Sequence, residues 1–367
     1  MSDSAEPDAP IEETEADSGQ PESDIGDSIA DSGGSLRPFA VEGFGAATVG
    51  GWQPGFDSYV VTSLDDSGPG TLRDGLDSSG GNPRVITFAL DGTIALQNSL
   101  LVPSNLSIDG RGRRITITGK GLILVGSDDV ILTNLTLQDV GPDSEDGVRI
   151  GDPSGASERV VLDHLSFIAT GGNGDSKKVD EAISVIFGST DVTLQWLRFD
   201  GWEKVMLFGN GDAAPAVDAA MRVTVHHSLA TRTGRRHPQA RYGIFDFYAD
   251  FWDDWHMFDW FFASNFPESF GMQSQDGAFV MAQSVLFRRS TGPYDVLSQA
   301  DEATRCESGG RLEAVDLAVI PGGNATLKFG VGCPAVVTPW TRPYAATIEA
   351  PDAALQQRLE SEAGATL

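Results

Sequence analysis

Cysteine, histidine and basic residues are scarce in this chain of 367 residues. The two cysteines, Cys306 and Cys333, allow one disulfide if the protein is exported, or a buried free pair. With five histidines in the chain, no Ser-His-Asp or Cys-His constellation and no zinc-ligand spacing stands out. No run of 18 or more apolar residues occurs, which excludes a membrane-spanning helix by hydropathy.

The first 36 residues contain no Lys or Arg, and they hold 11 of the 53 acidic residues. This segment is rich in Ser, Pro, Gly and Ala, and it has almost no apolar surface to offset chain entropy. We therefore predict a disordered acidic linker over residues 1–36 and one folded domain over residues 37–367. No signal peptide is visible, although an acidic linker directly after Met1 is what would remain once an export signal has been removed.

The predicted domain is acidic in its own right, with 42 acids against 25 bases. Nucleic acid is therefore excluded as an expected partner. An anionic polysaccharide would also be repelled at long range. Such a ligand would need a local cationic patch or a bound metal ion.

A repeated pattern of short alternating runs dominates the middle of the chain. Five copies begin 24, 30, 32 and 31 residues apart, at Asn105, Asp129, Arg159, Asp191 and Arg222. In most copies a polar residue leads a strand-like run, two residues break it, and another short run follows. Alternation places the apolar members of each copy on one face. Stacking such copies buries a continuous aliphatic column, so we predict a parallel β-helix of three sheets with strands of roughly 3 to 6 residues.

The two ends of the repeat are predicted to be capped, because an open end would expose core and strand edges. A glycine-rich segment, 43–51, leads into a predicted strand at 59–62 and a short helix that starts near Thr71. The tail from Pro351 to Leu367 has helical spacing and is expected to pack on the other end or on a side of the repeat.

The hexad Arg236-His237-Pro238-Gln239-Ala240-Arg241 sets two arginines around a stiff proline. A planar guanidinium grips a carboxylate bidentately and stays charged at neutral pH. The spacing suits a carboxylated sugar held between the two arginines, although two surface arginines in a turn would give the same sequence.

Six segments taken in order resemble the pectate lyase family, polysaccharide lyase family 1. They are the glycine-rich opening, 67–73, Leu162-Asp163-His164, Asp180-Glu181, Val225-His226-His227 and the arginine hexad. The resemblance covers roughly Val41 to the C-terminus and is strongest from Asp146 to Arg241. It implies a right-handed parallel β-helix and an enzyme that cleaves homogalacturonan by Ca²⁺-assisted β-elimination.

The resemblance also implies roles for individual residues. Arg236 falls on the position of the catalytic base, and Lys204 and Arg241 fall on substrate-binding positions. Asp146 and Asp180 fall on calcium-ligand positions, and Glu181 is a possible third ligand. Two further positions that are acidic in well-matched pectate lyases are Ser144 and Ser184 here. Asp143 could compensate for them, or the site could bind Ca²⁺ weakly.

Alternatives within and outside the class remain open. The aromatic stretch 245–262 could line a sugar-binding groove or could pack an inserted loop against the helix wall. Sparse calcium ligands and many aromatics would suit a pectin lyase acting on methyl-esterified chains. A catalytically inactive β-helix that binds acidic glycans is the alternative from another class. By resemblance we expect a secreted monomer with homogalacturonan as its partner. Asp163, His226 and His227 are interpreted as structural residues.

Overall fold

The structure is a computed structural model, and it describes residues 36–141, 145–170, 180–211, 215–255, 270–288, 302–320, 327–336 and 338–366. The predicted linker therefore lies outside the described residues except for Leu36, as do Asp143, Ser144 and the aromatic positions 256–262.

Three parallel sheets account for the strands of the described residues. Sheet A has ten strands: Asp57–Val61, Arg84–Phe88, Leu106–Asp109, Val130–Thr133, Glu158–Asp163, Thr190–Gln195, Arg222–His226, Ile244–Tyr248, Phe279–Gln283 and Arg311–Val315. Sheet B has nine: Gly92–Ala95, Ile115–Gly119, Thr136–Val140, Ser166–Ile168, Arg198–Asp200, Leu229–Thr231, Phe251–Asp253, Leu286–Arg288 and Ala318–Val319. Sheet C has eight: Leu100–Leu101, Leu122–Leu124, Val148–Ile150, Glu181–Val185, Lys204–Phe208, Gln239–Arg241, Met272–Gln275 and Thr304–Cys306.

The chain visits the sheets in the order A, B, C and then returns to A one strand further along. Each strand pairs in parallel with its counterparts in the preceding and following coils, as Val160 does with Val130 and Val192. This confirms the predicted right-handed parallel β-helix. The strands are two to six residues long, so the shortest of them fall just below the predicted range of roughly 3 to 6 residues.

Columns of apolar side chains fill the interior of the coils. In sheet A, one column places fully buried residues in register: Leu132, Leu162, Leu194, Val225, Phe247 and Ala282. Fully burying one large apolar side chain contributes about 1.5–3 kcal/mol, so the repeated runs provide the main stabilisation of the coil.

The two residues that break each repeat form the turn between sheets A and B. In successive coils one residue of this turn has a positive φ, as in Asn134, His164, Trp196 and His227. Left-handed backbone is costly for residues with a side chain. Three of these side chains, His164, Trp196 and His227, stack on one another. The ring of Trp196 lies 5.7 Å from that of His164 and 4.4 Å from that of His227.

The glycine-rich segment covers the outer face of sheet A instead of an open end. Its backbone amides at Gly45 and Gly51 donate to the hydroxyls of Thr193 and Ser107, which lie several coils apart. A Cβ on Gly51 would lie 1.9 Å from the carbonyl oxygen of Arg84, so this close approach requires glycine. The helix Leu72–Asp77 connects the first two strands of sheet A at the start of the coil. The side chain of its N-cap residue, Thr71, accepts a hydrogen bond from the Asp74 amide.

Among the described residues, the other helical segments are the 3₁₀ turn Phe44–Ala47 and the helices Pro215–Asp218 and Ala353–Glu362. The last of these buries Leu355 and Leu359 in a cluster with Leu229 and Phe251 on the side of the coil. A disulfide joins Cys306 to Cys333. Among the described residues, no helix is long and apolar enough to cross a membrane.

A column of buried polar side chains runs along the covered face of sheet A. Asp163 accepts from Thr133 Oγ1 at 2.7 Å and from Gln195 Nε2 at 2.8 Å. His226 stacks on Tyr248 with ring centroids 4.7 Å apart, and its Nδ1 lies 2.8 Å from Nδ1 of His227. These contacts give Asp163 and the two histidines structural roles. The hydrogen-bond partners of the Asp163 carboxylate are other side chains.

Because of this column, the free energy of unfolding should depend on pH. Burial lowers the pKa of His226 well below its ordinary value, and the neighbouring His227 and His164 lower it further. The unfolded chain, with a histidine pKa of about 6.5, takes up the proton first as the pH falls. This contribution to stability is therefore present above about pH 6.5 and is lost below it.

We expect His226 to account for a loss of about 1.4 kcal/mol in unfolding free energy per pH unit below about pH 6.5. Urea unfolding of the wild type and of His226→Gln at about pH 7.5 and 5.5 measures this. The variant should lose less stability than the wild type over that interval, whatever its stability at neutral pH. Equal losses in the two proteins would contradict the assignment of a neutral buried His226.

Candidate active site

Most of the residues implied by the resemblance lie along one edge of sheet C, the edge formed by the amino ends of its strands, whereas Arg241 lies at the carboxyl end of its strand. Asp146 precedes the strand Val148–Ile150, while Glu181 and Lys204 begin their own strands. Glu181 is in register with Lys204, so neighbouring strands bring their first residues together. Parallel strands are about 4.8 Å apart, which places side chains from successive coils within contact distance.

Three carboxylates converge at this edge. Oxygens of Asp146, Asp180 and Glu181 all lie within 4.8 Å of one another. Calcium takes oxygen ligands at about 2.3–2.6 Å, so two ligands of one ion lie at most about 5 Å apart. The carboxylate set fits a calcium ion on both chemistry and spacing.

Ser184 occupies the position beside this cluster where a carboxylate was expected by resemblance. It is buried, and its hydroxyl hydrogen-bonds Asp146. The pKa of Asp146 is raised to about 6, mainly by burial and also by the charge of Asp180, while the hydrogen bond from Ser184 and the charges of Arg149 and Lys204 act in the opposite direction. The serine therefore supports an existing carboxylate without adding a charge.

Two cations are interleaved with the three acids. Lys204 Nζ donates to Oδ1 of Asp180, and Arg236 forms an ion pair with the buried Glu181. Glu181 was expected as a possible metal ligand, and the structure places it in contact with the expected base as well. Counting these five groups alone, one negative charge remains, which favours a further cation in the cluster.

Burial also lowers the pKa of Arg236. The negative charge of Asp180 opposes this shift, and the positive charge of Arg241 acts with it. Arginine normally stays protonated in proteins, so a lowered pKa is the direction that a basic role requires.

Arg241 lies at the end of the strand Gln239–Arg241, with its Nε 3.3 Å from Oδ2 of Asp276. Asp276 is partly exposed, so this ion pair faces solvent on one side. The two arginines of the hexad are thus held by acids from different coils.

The backbone of the hexad is tied to the coils on both sides. The carbonyl of Arg236 accepts from the Met206 amide at 2.8 Å, and the carbonyl of Pro238 accepts from the Gln273 amide at 2.9 Å. His237 is fully buried, and its Nε2 lies 2.7 Å from Oγ1 of Thr233. This support fixes the position from which the Arg236 side chain projects.

Trp202 is a supporting residue that sequence analysis did not identify. It is fully buried, and its Nε1 donates at 2.8 Å to the carbonyl oxygen of Asp180. The segment Gly201-Trp202-Glu203-Lys204 contained the signal, because an aromatic residue with a polar tip sits two positions before the site lysine.

The described part of the aromatic stretch does not line a sugar-binding surface. Phe245, Phe247, Phe251, Trp252 and Trp255 are each at most 1% exposed. They fill the interior of the coil and its covered side. They are therefore packing residues, but most belong to strands of the coil and do not pack an inserted loop against its wall as we had considered.

Comparison with known proteins supports one family. The family model described as pectate lyase matches residues 71–319. A probable pectate lyase P56 from Solanum lycopersicum is 32% identical over 237 residues, which cover 59% of this chain and 56% of the relative. Pectate lyase 4 from Ambrosia artemisiifolia is 32% identical over 239 residues, with the same coverage. The chain thus spans about half the length of the curated relatives it matches.

Solved structures share the fold. The cedar pollen allergen jun a 1 superposes with a TM-score of 0.70 at 24% identity, covering 89% of this chain and 93% of that chain. The thermostable pectate lyase PL 47 gives a TM-score of 0.67 at 17% identity, covering 90% of this chain and 98% of that chain. The family model spans most of the coils, and the relatives are identical to this chain at nearly a third of the aligned residues, so this chain belongs to the pectate lyase family.

Proposed function

We propose that this protein is a pectate lyase that cleaves α-1,4-linked polygalacturonate by Ca²⁺-assisted β-elimination and releases 4,5-unsaturated uronides. The observation that carries the proposal is the set of three converging carboxylates next to Lys204 and Arg236, at one edge of sheet C. Family membership supports the reaction class, and these residues supply its chemistry.

The first requirement is removal of the proton on C5 of a galacturonate unit. Arg236 takes this proton through its guanidine group, and burial, which lowers its pKa, helps to make the neutral form accessible. Support from the Met206 and Gln273 amides holds the hexad backbone in place during this step.

The second requirement is stabilisation of charge on the C6 carboxylate as the C5–H bond breaks. Lys204 and Arg241 bind that carboxylate, exchanging their contacts with Asp180 and Asp276 for contacts with the substrate. A calcium ion bound by Asp146, Asp180 and Glu181 would supply further positive charge beside the same carboxylate.

The elimination then balances without an added reactant. The C5–H electron pair forms the C4–C5 double bond, the C4–O bond breaks, and the departing sugar oxygen gains one proton, which balances the proton that Arg236 takes from C5. No water is added to the polymer, so one fragment carries the double bond and the other a new hydroxyl.

The alternatives differ in what they require of the acid cluster. A pectin lyase acting on esterified chains would not need a metal to neutralise the substrate, and Ser184 in place of an acid is the observation in its favour. A glycan-binding protein without activity would not need Arg236 held beside the cluster. We further propose that the protein acts outside the cell as a monomer, with homogalacturonan as its partner.

The test is the rate of unsaturated uronide formation, followed by its ultraviolet absorbance, on polygalacturonate and on fully methyl-esterified pectin, each with Ca²⁺ or chelator. We expect the highest rate on polygalacturonate with Ca²⁺ and a loss of that rate in chelator. Cleavage of esterified pectin at the same rate with Ca²⁺ and with chelator would favour the pectin lyase. Binding of the polymer without any product would favour the inactive binder.

A further inference from the structure

A second ion pair lies next to two of the site cations. Glu203 directly precedes Lys204 in the chain. Arg235 directly precedes Arg236, and its Nη2 lies 3.4 Å from Oε1 of Glu203. The side chain of Glu203 is 4% exposed and that of Arg235 is 22% exposed, so the pair is largely removed from solvent. Each member of the pair is thus joined through the chain to a residue of the candidate site.

The backbones of the two segments are joined at the same residues. The Arg235 amide donates to the Glu203 carbonyl at 2.6 Å, and the Val205 amide donates to the Arg235 carbonyl at 3.0 Å. A parallel bridge also pairs Lys204 with Arg235. The ion pair therefore connects two neighbouring coils at the point where the side chains of Lys204 and Arg236 leave the backbone.

Arg236 needs such support because its backbone is left-handed, with φ at 65°. This conformation is unfavourable for a residue with a side chain, and it persists only where the surrounding structure enforces it. The direction of the guanidinium depends on this conformation, and so does its ion pair with Glu181. A change in the segment that precedes Arg236 would therefore displace the base from the cluster.

Stability alone does not account for the pair. Oε2 of Glu203 is buried without a hydrogen-bond partner among the described residues, so the carboxylate is only half satisfied. Taking two charges out of water costs about as much as their attraction returns, and apolar residues of similar size are often equally stable. A role in position fits the pair better, because a buried ion pair can specify which groups meet.

We propose that Glu203 and Arg235 act together as positioning residues, which hold Lys204 and Arg236 in the geometry that the elimination requires. This inference rests on the proposed function and adds two residues to it. Neither residue touches the substrate or takes the C5 proton, and each acts through the residue that follows it in the chain. A displacement of about 1 Å can lower a rate about 10²-fold, so the effect on turnover should be large.

Kinetics on polygalacturonate with Ca²⁺ test this role. Glu203→Gln and Arg235→Met each remove one charge of the pair, whereas Arg235→Lys keeps it. Asp246→Asn is the matched control, because Asp246 is also a buried acid in an ion pair, with Arg342, and it lies on sheet A.

We expect Glu203→Gln and Arg235→Met to lower kcat about 10²-fold and Arg235→Lys to recover most of that loss. KM should stay within about threefold of the wild type, and the double variant should be no slower than the slower single variant, because the two residues act as one unit. Asp246→Asn should lower stability towards urea and leave kcat unchanged. Wild-type kcat in either Glu203→Gln or Arg235→Met overturns the proposal.

Urea unfolding tests the same arrangement without substrate. If the pair holds Arg236 on Glu181, part of that contact is already lost in Glu203→Gln. Adding Arg236→Met should then cost less free energy of unfolding than it does in the wild type or in Asp246→Asn. Equal costs in all three backgrounds overturn the proposal. Absence of cleavage by the wild type, with the smaller cost in Glu203→Gln intact, would instead contradict the lyase activity alone.

Discussion

Replacing Arg236 with lysine is expected to lower kcat on polygalacturonate by about 10²–10⁴-fold, the range for loss of a general acid or base. Lysine keeps the positive charge, but it is a point charge on a flexible stem and lacks the planar fork. Its shorter reach also changes the contact with Glu181 that holds the arginine in place. Substrate binding should change little, so KM should stay within a few-fold of the wild type.

The matched control is Arg232→Lys, in the same coil. Arg232 is 60% exposed in its side chain and pairs with Asp200 on sheet B, away from the candidate site. Its substitution should leave both kcat and KM near the wild-type values. Wild-type turnover by Arg236→Lys would remove Arg236 from the chemical step.

Replacing Asp180 with asparagine should raise the Ca²⁺ concentration for half-maximal rate by at least about tenfold. The change replaces one of three carboxylates with a neutral amide, which removes a negative charge and leaves a single, weaker oxygen ligand. It also weakens the contact that positions Lys204. Titrations of activity with Ca²⁺ in metal-free buffer measure the shift, and calorimetry of Ca²⁺ binding measures it without substrate.

A partly exposed acid elsewhere serves as the control for this variant. Asp191 pairs with Arg222 on sheet A, so Asp191→Asn makes the same chemical change away from the cluster. An unchanged Ca²⁺ requirement in Asp180→Asn, or an equal shift in Asp191→Asn, would contradict the assignment of the cluster as the metal site.

The coil itself could be predicted because its signal is local and repeated. Alternating residues such as Leu132, Leu162 and Leu194 mark the interior of each strand, and the breaks mark the turns. The approximate spacing of the copies predicts stacking even where loop lengths differ. The left-handed residues at these turns, such as Asn134, follow from the same repeat.

Contacts between distant segments could not be predicted in this way. The Gly45 amide meets Thr193 across 148 positions, and no local pattern indicates which face of the coil the segment covers. The ion pair between Arg236 and Glu181 likewise depends on how strands of different coils are offset. Resemblance to the family gave the expected roles of Asp146, Asp180 and Lys204. Their proximity depends on how the parallel strands of sheet C pair with one another.

The most direct test of the central claim is the mass of the products released from a homogalacturonan oligomer by the purified protein with Ca²⁺. β-Elimination at Arg236 predicts that each cleavage gives one fragment lighter, by one water molecule, than the corresponding hydrolysis product. Saturated fragments alone, or an intact oligomer after prolonged incubation with Ca²⁺, would contradict the account.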